Sequence, residues 1–243
     1  MPDDRRIAWR PHPRAPAGRR RDRIPVHPDA AADGAGAVTR PVVHLVDDED
    51  PVRRSIQLML KVMGYDVLAY DSGTALLAGA DALKPGCILL DLRMPDVDGL
   101  EVQRRLRRAA VDSPIVMMSG HGDLAVALQA MRDGAIAFLE KPFAKSALKQ
   151  ALDLAFLKLL DPAGYRAYLE EASDKVAVLD PAARAILGHI ARGASNDGVA
   201  AMLGLSPPAI DVARARLFSD LGVDSVTDAL RVAFAAGLGL SSE

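Results

Sequence analysis

The sequence predicts an α/β protein: a flavodoxin-like, doubly wound (βα)5 domain followed by a smaller all-α domain. From residue 42, five short apolar runs alternate with five segments of helical periodicity. This alternation is typical of a parallel sheet covered by helices on both faces. After residue 178 the helical periodicity continues without strand-like runs, and a glycine follows each segment.

The composition is that of a folded protein and not of a disordered chain or a polycation. Of the 243 residues, 50% are hydrophobic and 26% are charged, and the net charge is −2. The one cysteine, Cys87, allows neither an internal disulfide nor a zinc-binding thiol cluster, which favours a reducing compartment. No apolar run has the length of a membrane span, and the N-terminus lacks a signal-peptide core. We therefore expect a cytoplasmic protein with no membrane partner.

Residues 1–40 differ in composition from the rest of the chain. They contain nine Arg and five Asp, a net charge of +4, among Pro, Ala and Gly. Since no apolar period accompanies these charges, we expect a disordered basic tail. It is either an electrostatic arm for nucleic acid and other anionic partners, or a solvated extension, or a segment that the cell does not make.

The domain at residues 41–160 is predicted from its alternating pattern. Strands are expected at 42–46, 67–70, 88–90, 115–118 and 136–139. Helices are expected at 52–63, 75–83, 100–106, 124–131 and 144–160. Right-handed crossovers and the strand order 2-1-3-4-5 place the switch point between the first and third strands, so chemistry is expected at the carboxyl ends there.

Acidic residues occupy that place in the predicted fold. Asp47 and Asp48 follow the first strand, and Asp91 ends the third. Three converging carboxylates repel one another unless a cation lies among them, and an all-oxygen site suits Mg²⁺. Lys141 follows the fifth strand and Ser119 ends the fourth, so an ammonium group and a hydroxyl can reach phosphoryl oxygens at the same edge.

Residues 42–160 resemble the receiver domain of two-component response regulators. The resemblance lies in Val46-Asp47-Asp48-Glu49, Leu90-Asp91-Leu92-Arg93-Met94-Pro95-Asp96-Val97-Asp98-Gly99, Ser119-Gly120-His121-Gly122-Asp123 and Phe138-Leu139-Glu140-Lys141-Pro142-Phe143. It implies that Asp91 accepts the phosphoryl group of a histidine kinase and that Asp48 binds Mg²⁺ directly. It further implies that Asp47 acts on the metal through water and that the main-chain carbonyl of Arg93 completes the protein ligands.

The same resemblance implies a switch. Lys141 corresponds to the lysine that binds the phosphoryl group, and Ser119 and Phe138 correspond to the switch pair. Phosphorylation is expected to draw Ser119 inward and to let Phe138 move from an exposed to a buried position. The face formed by the fourth helix, fifth strand and fifth helix would change as a result.

The C-terminal part is predicted as a linker at 161–178 and a domain at 179–243. Four helices are expected at 181–192, 196–203, 206–221 and 225–236, and the second and third have helix-turn-helix spacing. This domain resembles the LuxR-type effector domain. Residues 42–240 together resemble the NarL/FixJ class of response regulators, which implies transcription control, promoter DNA as a partner and a phosphorylation-dependent homodimer.

The positions that contact DNA in this family depart from its pattern. Family members usually carry Glu where this chain has Ala183, and Lys where it has Asp197 and Asp220. They usually carry Arg or a similar polar donor at Pro208, Thr at Ala209, and His or another polar group at Ala213. Asn196, Arg214 and Arg216 remain as candidate DNA contacts. Ser206 is expected to cap the third helix, with Pro207 and Pro208 in its first turn.

Two hypotheses about the function therefore remain open. In one, phosphorylation of Asp91 enables the third effector helix to bind a promoter. In the other, the helix-turn-helix has lost DNA binding, and the protein is a phosphorylation-gated protein-binding module or a phosphate sink. Five Arg against seven acidic residues at 179–243 favour the second, because DNA affinity depends on cations. An enzymatic output is not expected, since no pair of nucleophile and base follows residue 160.

Overall fold

The computed structural model describes residues 40–120 and 124–239, without the side chains of Asn196 and Pro207. Apart from Arg40, the predicted basic tail lies outside the described residues. Among the described residues, no helix combines the length and the apolar character that a membrane crossing requires.

The part that resembles a receiver, predicted at residues 41–160, is built on one parallel sheet with the predicted strand order, β2-β1-β3-β4-β5. Its strands are β1 (Val42–Val46), β2 (Asp66–Tyr70), β3 (Gly86–Asp91), β4 (Ile115–Ser119) and β5 (Ala137–Glu140). Every residue of the central β3 is buried, as expected for a strand covered on both faces. All five strands run in the same direction, so their carboxyl ends meet at one edge.

Five helices cover the sheet: α1 (Asp50–Val62), α2 (Gly73–Ala78), α3 (Gly99–Arg108), α4 (Leu124–Arg132) and α5 (Lys145–Leu160). The predicted second helix, 75–83, is wrong in its extent. It ends at Ala78 because Gly79 leaves the helical conformation with φ −107° and ψ 13°, and a 3₁₀ turn (Ala80–Ala82) follows.

Five further helices form the C-terminal part: α6 (Pro162–Ala177), α7 (Pro181–Ala191), α8 (Asn196–Leu203), α9 (Pro207–Leu221) and α10 (Val226–Ala235). The side chains of Asp180, Ser195 and Ser225 accept hydrogen bonds from main-chain N–H groups in the first turns of α7, α8 and α10. Gly204 and Gly222 end α8 and α9 in the left-handed conformation, which costs glycine little.

The cap expected from Ser206 at the start of α9 is absent, so this prediction is wrong in detail. Ser206 holds the N-cap position, but its side chain makes no capping hydrogen bond. A cap hydroxyl accepts from the second or third residue of a helix, and the second residue here is Pro208, which has no N–H. The third N–H, of Ala209, donates to the main-chain oxygen of Ser206 at 2.9 Å.

The C-terminal helices pack directly on the receiver sheet. Helix α10 lies against α4 and β5 as well as against α6 and α7, and α6 lies along α5. The Arg132 guanidinium at the end of α4 donates a hydrogen bond of 3.2 Å to the carbonyl oxygen of Ala191 at the end of α7. Buried side chains of α4, β5, α7 and α10 belong to one continuous hydrophobic core.

Candidate functional site

The carboxyl edge of the sheet brings three of the predicted residues into direct contact. Lys141 Nζ lies 2.6 Å from Asp47 Oδ2 and 2.9 Å from Asp91 Oδ1. Asp47 and Asp91 are almost fully buried, and Lys141 is largely buried. Lys141 therefore joins the ends of β1, β3 and β5 through two short ion pairs.

The position of Asp47 is fixed by two further hydrogen bonds. Its Oδ1 accepts from the N–H of Glu49 at 2.9 Å, and its main-chain oxygen accepts from Arg53 Nη1 at 2.7 Å. Sequence reasoning did not identify Arg53, because helical periodicity places it on α1 without indicating that its side chain reaches back to the strand end. Arg53 supports the site and does not enter it.

Asp48 supplies the observation that best fits a metal ion. Its Oδ1 is shielded from solvent and has no hydrogen-bond partner among the described residues. Such a buried oxygen is costly unless a donor or a cation satisfies it. One oxygen from each of Asp47, Asp48 and Asp91 can be chosen so that the three lie within 4.8 Å of one another. These residues could hold a hard divalent cation, for which carboxylate oxygens are suitable ligands.

An open cavity of about 490 Å³ adjoins Asp48. Its wall includes Arg93, Met94, Asp98 and Val126, so the loop after β3 and the start of α4 border it. Arg93 thus lines the same cavity as Asp48, and its role as a metal ligand through the main-chain carbonyl stays a prediction. The cavity gives a ligand access to the acidic edge of the sheet.

Burial and the neighbouring charges shift two pKa values of the site in ways that suit an acceptor of a phosphoryl group. Burial raises the pKa of Asp91, and Asp47 and Asp48 add to the rise, while Lys141 opposes it. Burial by itself lowers the pKa of Lys141, but the hydrogen bonds to Asp47 and Asp91 outweigh it and raise that pKa above its usual value. The lysine is therefore held as a cation beside a carboxylate of increased basicity.

The two predicted switch residues lie on the neighbouring strands β4 and β5. Ser119 is buried at the end of β4, and its main-chain oxygen accepts from the N–H of Lys141 at 2.7 Å. Phe138 is 5% exposed, so its ring already lies inside the protein. The expected exposed starting position of Phe138 is wrong for this structure, because β5 is covered by α10 of the C-terminal part.

The loop after β3 is held close to Asp91 by Gly99. The N–H of Gly99 donates to the carbonyl oxygen of Leu92 at 2.8 Å, and a Cβ at Gly99 would lie 2.5 Å from the main-chain oxygen of Asp91. Asp96 ties the same loop to α2, because its carboxylate accepts from the N–H of Thr74 at 2.9 Å. The hydrogen bond from the Thr74 side chain first, and then those from main-chain N–H groups including that of Thr74, lower the pKa of Asp96 to about 2.

The substitution Gly99→Ala is expected to lower the free energy of unfolding by about 1–3 kcal/mol, which is the usual cost of adding atoms to a tightly packed site. The cause is the contact of 2.5 Å with a main-chain oxygen, which cannot move without displacing Asp91. Urea unfolding of both proteins measures the difference. Gly120→Ala is the control, since no atom of the described residues, apart from Gly120 and its chain neighbours, lies within 4 Å of the added Cβ. Equal stability of the two variants would contradict the expectation.

Two of the residues predicted to contact DNA, Arg214 and Arg216, lie on α9. Arg214 is half-buried and its guanidinium lies 5.6 Å from the centre of the Phe218 ring. Arg216 is exposed on α9, with its Nε 3.8 Å from Asp220 Oδ2 one turn later. The side chain of Asn196 lies outside the described residues. The outer face of α9 otherwise exposes Pro208, Asp211, Val212, Ala215 and Ser219.

Comparisons with known proteins agree with this geometry. Residues 43–153 match the family model of the response regulator receiver domain. The transcriptional regulatory protein FixJ of Rhizobium meliloti is 35% identical over 202 residues, which cover 82% of this chain and 98% of that protein. The response regulator protein TmoT of Ectopseudomonas mendocina is 33% identical over 192 residues, 79% of this chain and 87% of that protein. The crystal structure of full-length FixJ from B. japonicum superposes with a TM-score of 0.50 at 32% identity, covering 82% of this chain and 98% of that one.

Proposed function

The chain belongs to the two-component response regulators of the NarL/FixJ type, and from this premise we propose that Asp91 accepts a phosphoryl group from a histidine kinase. The observation that carries the proposal is the pair of contacts between Lys141 and the carboxylates of Asp47 and Asp91. A cation fixed beside a buried carboxylate favours attack on a negatively charged phosphoryl group. In the proposed domain arrangement, residues 41–160 are the receiver, 161–178 the linker and 179–243 the effector.

The proposed transfer is a displacement at phosphorus. A carboxylate oxygen of Asp91 forms a bond to the phosphorus of a phosphohistidine, the P–N bond breaks, and the leaving imidazole nitrogen takes a proton. Lys141 neutralises charge on a phosphoryl oxygen, and Ser119 offers a hydroxyl to another. The raised pKa of Asp91 makes its carboxylate a stronger base than an exposed aspartate.

We assign a Mg²⁺ site to Asp48, Asp91 and the main-chain carbonyl of Arg93, with Asp47 acting through water. The unsatisfied Oδ1 of Asp48 and the proximity of the three carboxylates support this assignment. When bound, Mg²⁺ supplies positive charge that stabilises the phosphoryl oxygens during transfer.

Mg²⁺ is expected to raise the melting temperature of the protein by about 5 °C or more at 100 times its dissociation constant, because it binds the folded state. In Asp48→Asn the rise should largely disappear, since the variant loses one ligand charge. Scanning calorimetry with and without Mg²⁺ measures both shifts. Asp66→Asn serves as the control, because Asp66 is exposed at the amino end of β2, away from the site. An undiminished shift in Asp48→Asn would move the metal site elsewhere.

The acceptor site is proposed to act on the C-terminal helices through β4 and β5. Ser119 and Phe138 occupy these strands, and α10 lies against β5 and α4. A phosphoryl group on Asp91 that draws Ser119 towards it would change the surface on which α10 packs. The surface freed when α10 leaves is proposed to form the phosphorylation-dependent homodimer.

The output proposed first is transcription control, in which α9 of the helix-turn-helix enters the major groove of a promoter. The relatives named as transcriptional regulatory proteins and the helix pair α8 and α9 support it. A second output, a phosphorylation-gated protein-binding module or phosphate sink, is favoured by the outer face of α9. That face carries Asp211 and Asp220, and its arginine, Arg216, lies beside Asp220.

Binding of a random duplex by the phosphorylated full chain separates the two outputs. If α9 binds DNA, fluorescence anisotropy should detect a complex at low salt, and Arg216→Gln should reduce the slope of log K against log salt by about 1. Arg166→Gln, an exposed arginine on α6, should leave the slope unchanged. No measurable complex at low ionic strength would exclude the promoter-binding output and favour the second.

A further inference from the structure

A partly enclosed cavity lies where the receiver sheet meets the C-terminal helices, and none of the residues that line it takes part in the proposed phosphoryl transfer. Its volume is about 180 Å³. Four parts of the chain form its wall: the connection from α4 to β5, helix α5, helix α6 and helix α10. We call it the junction cavity, and define it by Leu154, Lys158, Tyr165, Tyr168, Arg231 and Phe234.

Two tyrosines of α6 give the junction cavity an aromatic side. The rings of Tyr165 and Tyr168 stack with their centres 6.1 Å apart and an angle of 23° between their planes. Burial raises the pKa of both phenols, so they stay neutral. With Leu154 and Phe234, they offer a flat apolar body a surface on which to pack.

Two cations lie in the same wall. Arg231 uses Nη2 for an ion pair with Asp228 at 3.1 Å, whereas its Nε is shielded from solvent and has no hydrogen-bond acceptor among the described residues. Lys158 Nζ lies 5.9 Å from the centre of the Tyr165 ring, and within the described part of the chain no carboxylate pairs with it. Arg231 and Lys158 give this part of the wall a positive charge.

We propose that the junction cavity binds a small carboxylate with a compact apolar body, of the size of benzoate. The volume is sufficient, since an apolar cavity of about 150 Å³ accommodates benzene. The carboxylate would lie beside the Arg231 guanidinium and near Lys158, while its body packs against the tyrosines. An inorganic anion fits less well, because much of the wall is apolar and offers it no hydrogen bonds.

Such a ligand would act as a second input to the protein. The receiver part contributes Leu154 and Lys158 to the wall, and α10 contributes Arg231 and Phe234, so the intact cavity exists only while the two parts are packed together. A ligand that binds only this arrangement stabilises it in proportion to ligand concentration. It would therefore oppose the departure of α10 from the receiver, whatever causes that departure.

Titration calorimetry of the full chain with benzoate tests the proposal, and calorimetric melting with and without benzoate provides a second readout. Benzoate should bind saturably and raise the melting temperature. Benzamide has the same shape without the charge and should bind at least about tenfold more weakly, a factor equivalent to 1.4 kcal/mol. Inorganic phosphate should leave the melting temperature unchanged. Absence of saturable benzoate binding, or equal affinity for benzamide, would overturn the proposal.

Variants locate the site. Arg231→Gln and Lys158→Gln should each weaken benzoate binding about tenfold, and Arg166→Gln, exposed on the same α6 that carries the tyrosines, should not. Arg231→Gln also removes the ion pair with Asp228, so its melting temperature without ligand is measured as well. Among the residues that the structure describes, Lys158→Gln removes no ion pair, so it keeps the test valid if Arg231→Gln unfolds. Wild-type affinity in Lys158→Gln and in a folded Arg231→Gln would place the binding elsewhere and refute the junction cavity as the site.

Discussion

A chain carrying Asp91→Asn is expected to take up no phosphoryl group from acetyl phosphate in the presence of Mg²⁺. Asp91 ends the central strand β3, is 4% exposed, and lies 2.9 Å from the ammonium group of Lys141. An amide in its place lacks the nucleophilic oxygen, so no acyl phosphate can form there. The measurement is the mass of the intact protein, which should increase for the wild type and stay constant for the variant.

Controls separate loss of the acceptor from loss of the fold. Because the pKa of Asp91 is raised above its ordinary value of 3.8, ionisation of Asp91 destabilises the fold progressively as the pH rises above 3.8, and fully above the folded-state pKa. The neutral asparagine should therefore leave the melting temperature at neutral pH unchanged or higher. Asp112→Asn, an exposed aspartate before β4, should be labelled like the wild type. Labelling of Asp91→Asn would assign the acceptor to another residue.

The acidic edge of the sheet was predictable because it depends on strand geometry alone. Once β1 and β3 are recognised as neighbouring parallel strands, Asp47 and Asp91 must lie at the same edge. Lys141 follows β5, two strands from β3, and only the length of its side chain allows it to reach Asp91. The sequence therefore predicted which carboxylates and which lysine lie at this edge, while the distances between them and the hydrogen bond from Arg53 depended on side-chain conformation.

The position of Phe138 was not predictable in the same way. Its burial depends on α10, which lies about 90 residues later in the chain and packs against β5. Periodicity shows that α10 has an apolar face but not which surface covers that face. The same holds for the junction cavity, since Lys158, Tyr168 and Arg231 come from three helices whose packing no local pattern specifies.

The substitution Lys141→Met is expected to lower the free energy of unfolding by about 3–5 kcal/mol at neutral pH, because it leaves buried charges without their partner. Asp47 is fully buried and Asp91 nearly so, and both lose the cation that contacts them. Uptake of the phosphoryl group should fall as well. Lys149→Met is the matched control, because Lys149 pairs with Asp153 on the partly exposed surface of α5 and contributes about 0.5 kcal/mol or less.

The stability difference between Lys141→Met and the wild type should depend on pH with a definite sign. The raised pKa of Lys141 means that its stabilising effect is fully present below 10.5, its ordinary value, and is lost only as the pH rises through the folded-state pKa. At the acid end, the difference should shrink as Asp91 takes up a proton, which begins above pH 3.8 because its pKa is raised. Urea unfolding in metal-free buffer at several pH values measures this dependence. A variant as stable as Lys149→Met at neutral pH would show that Lys141 does not offset the buried carboxylates, and the electrostatic basis of the acceptor site would fail with it.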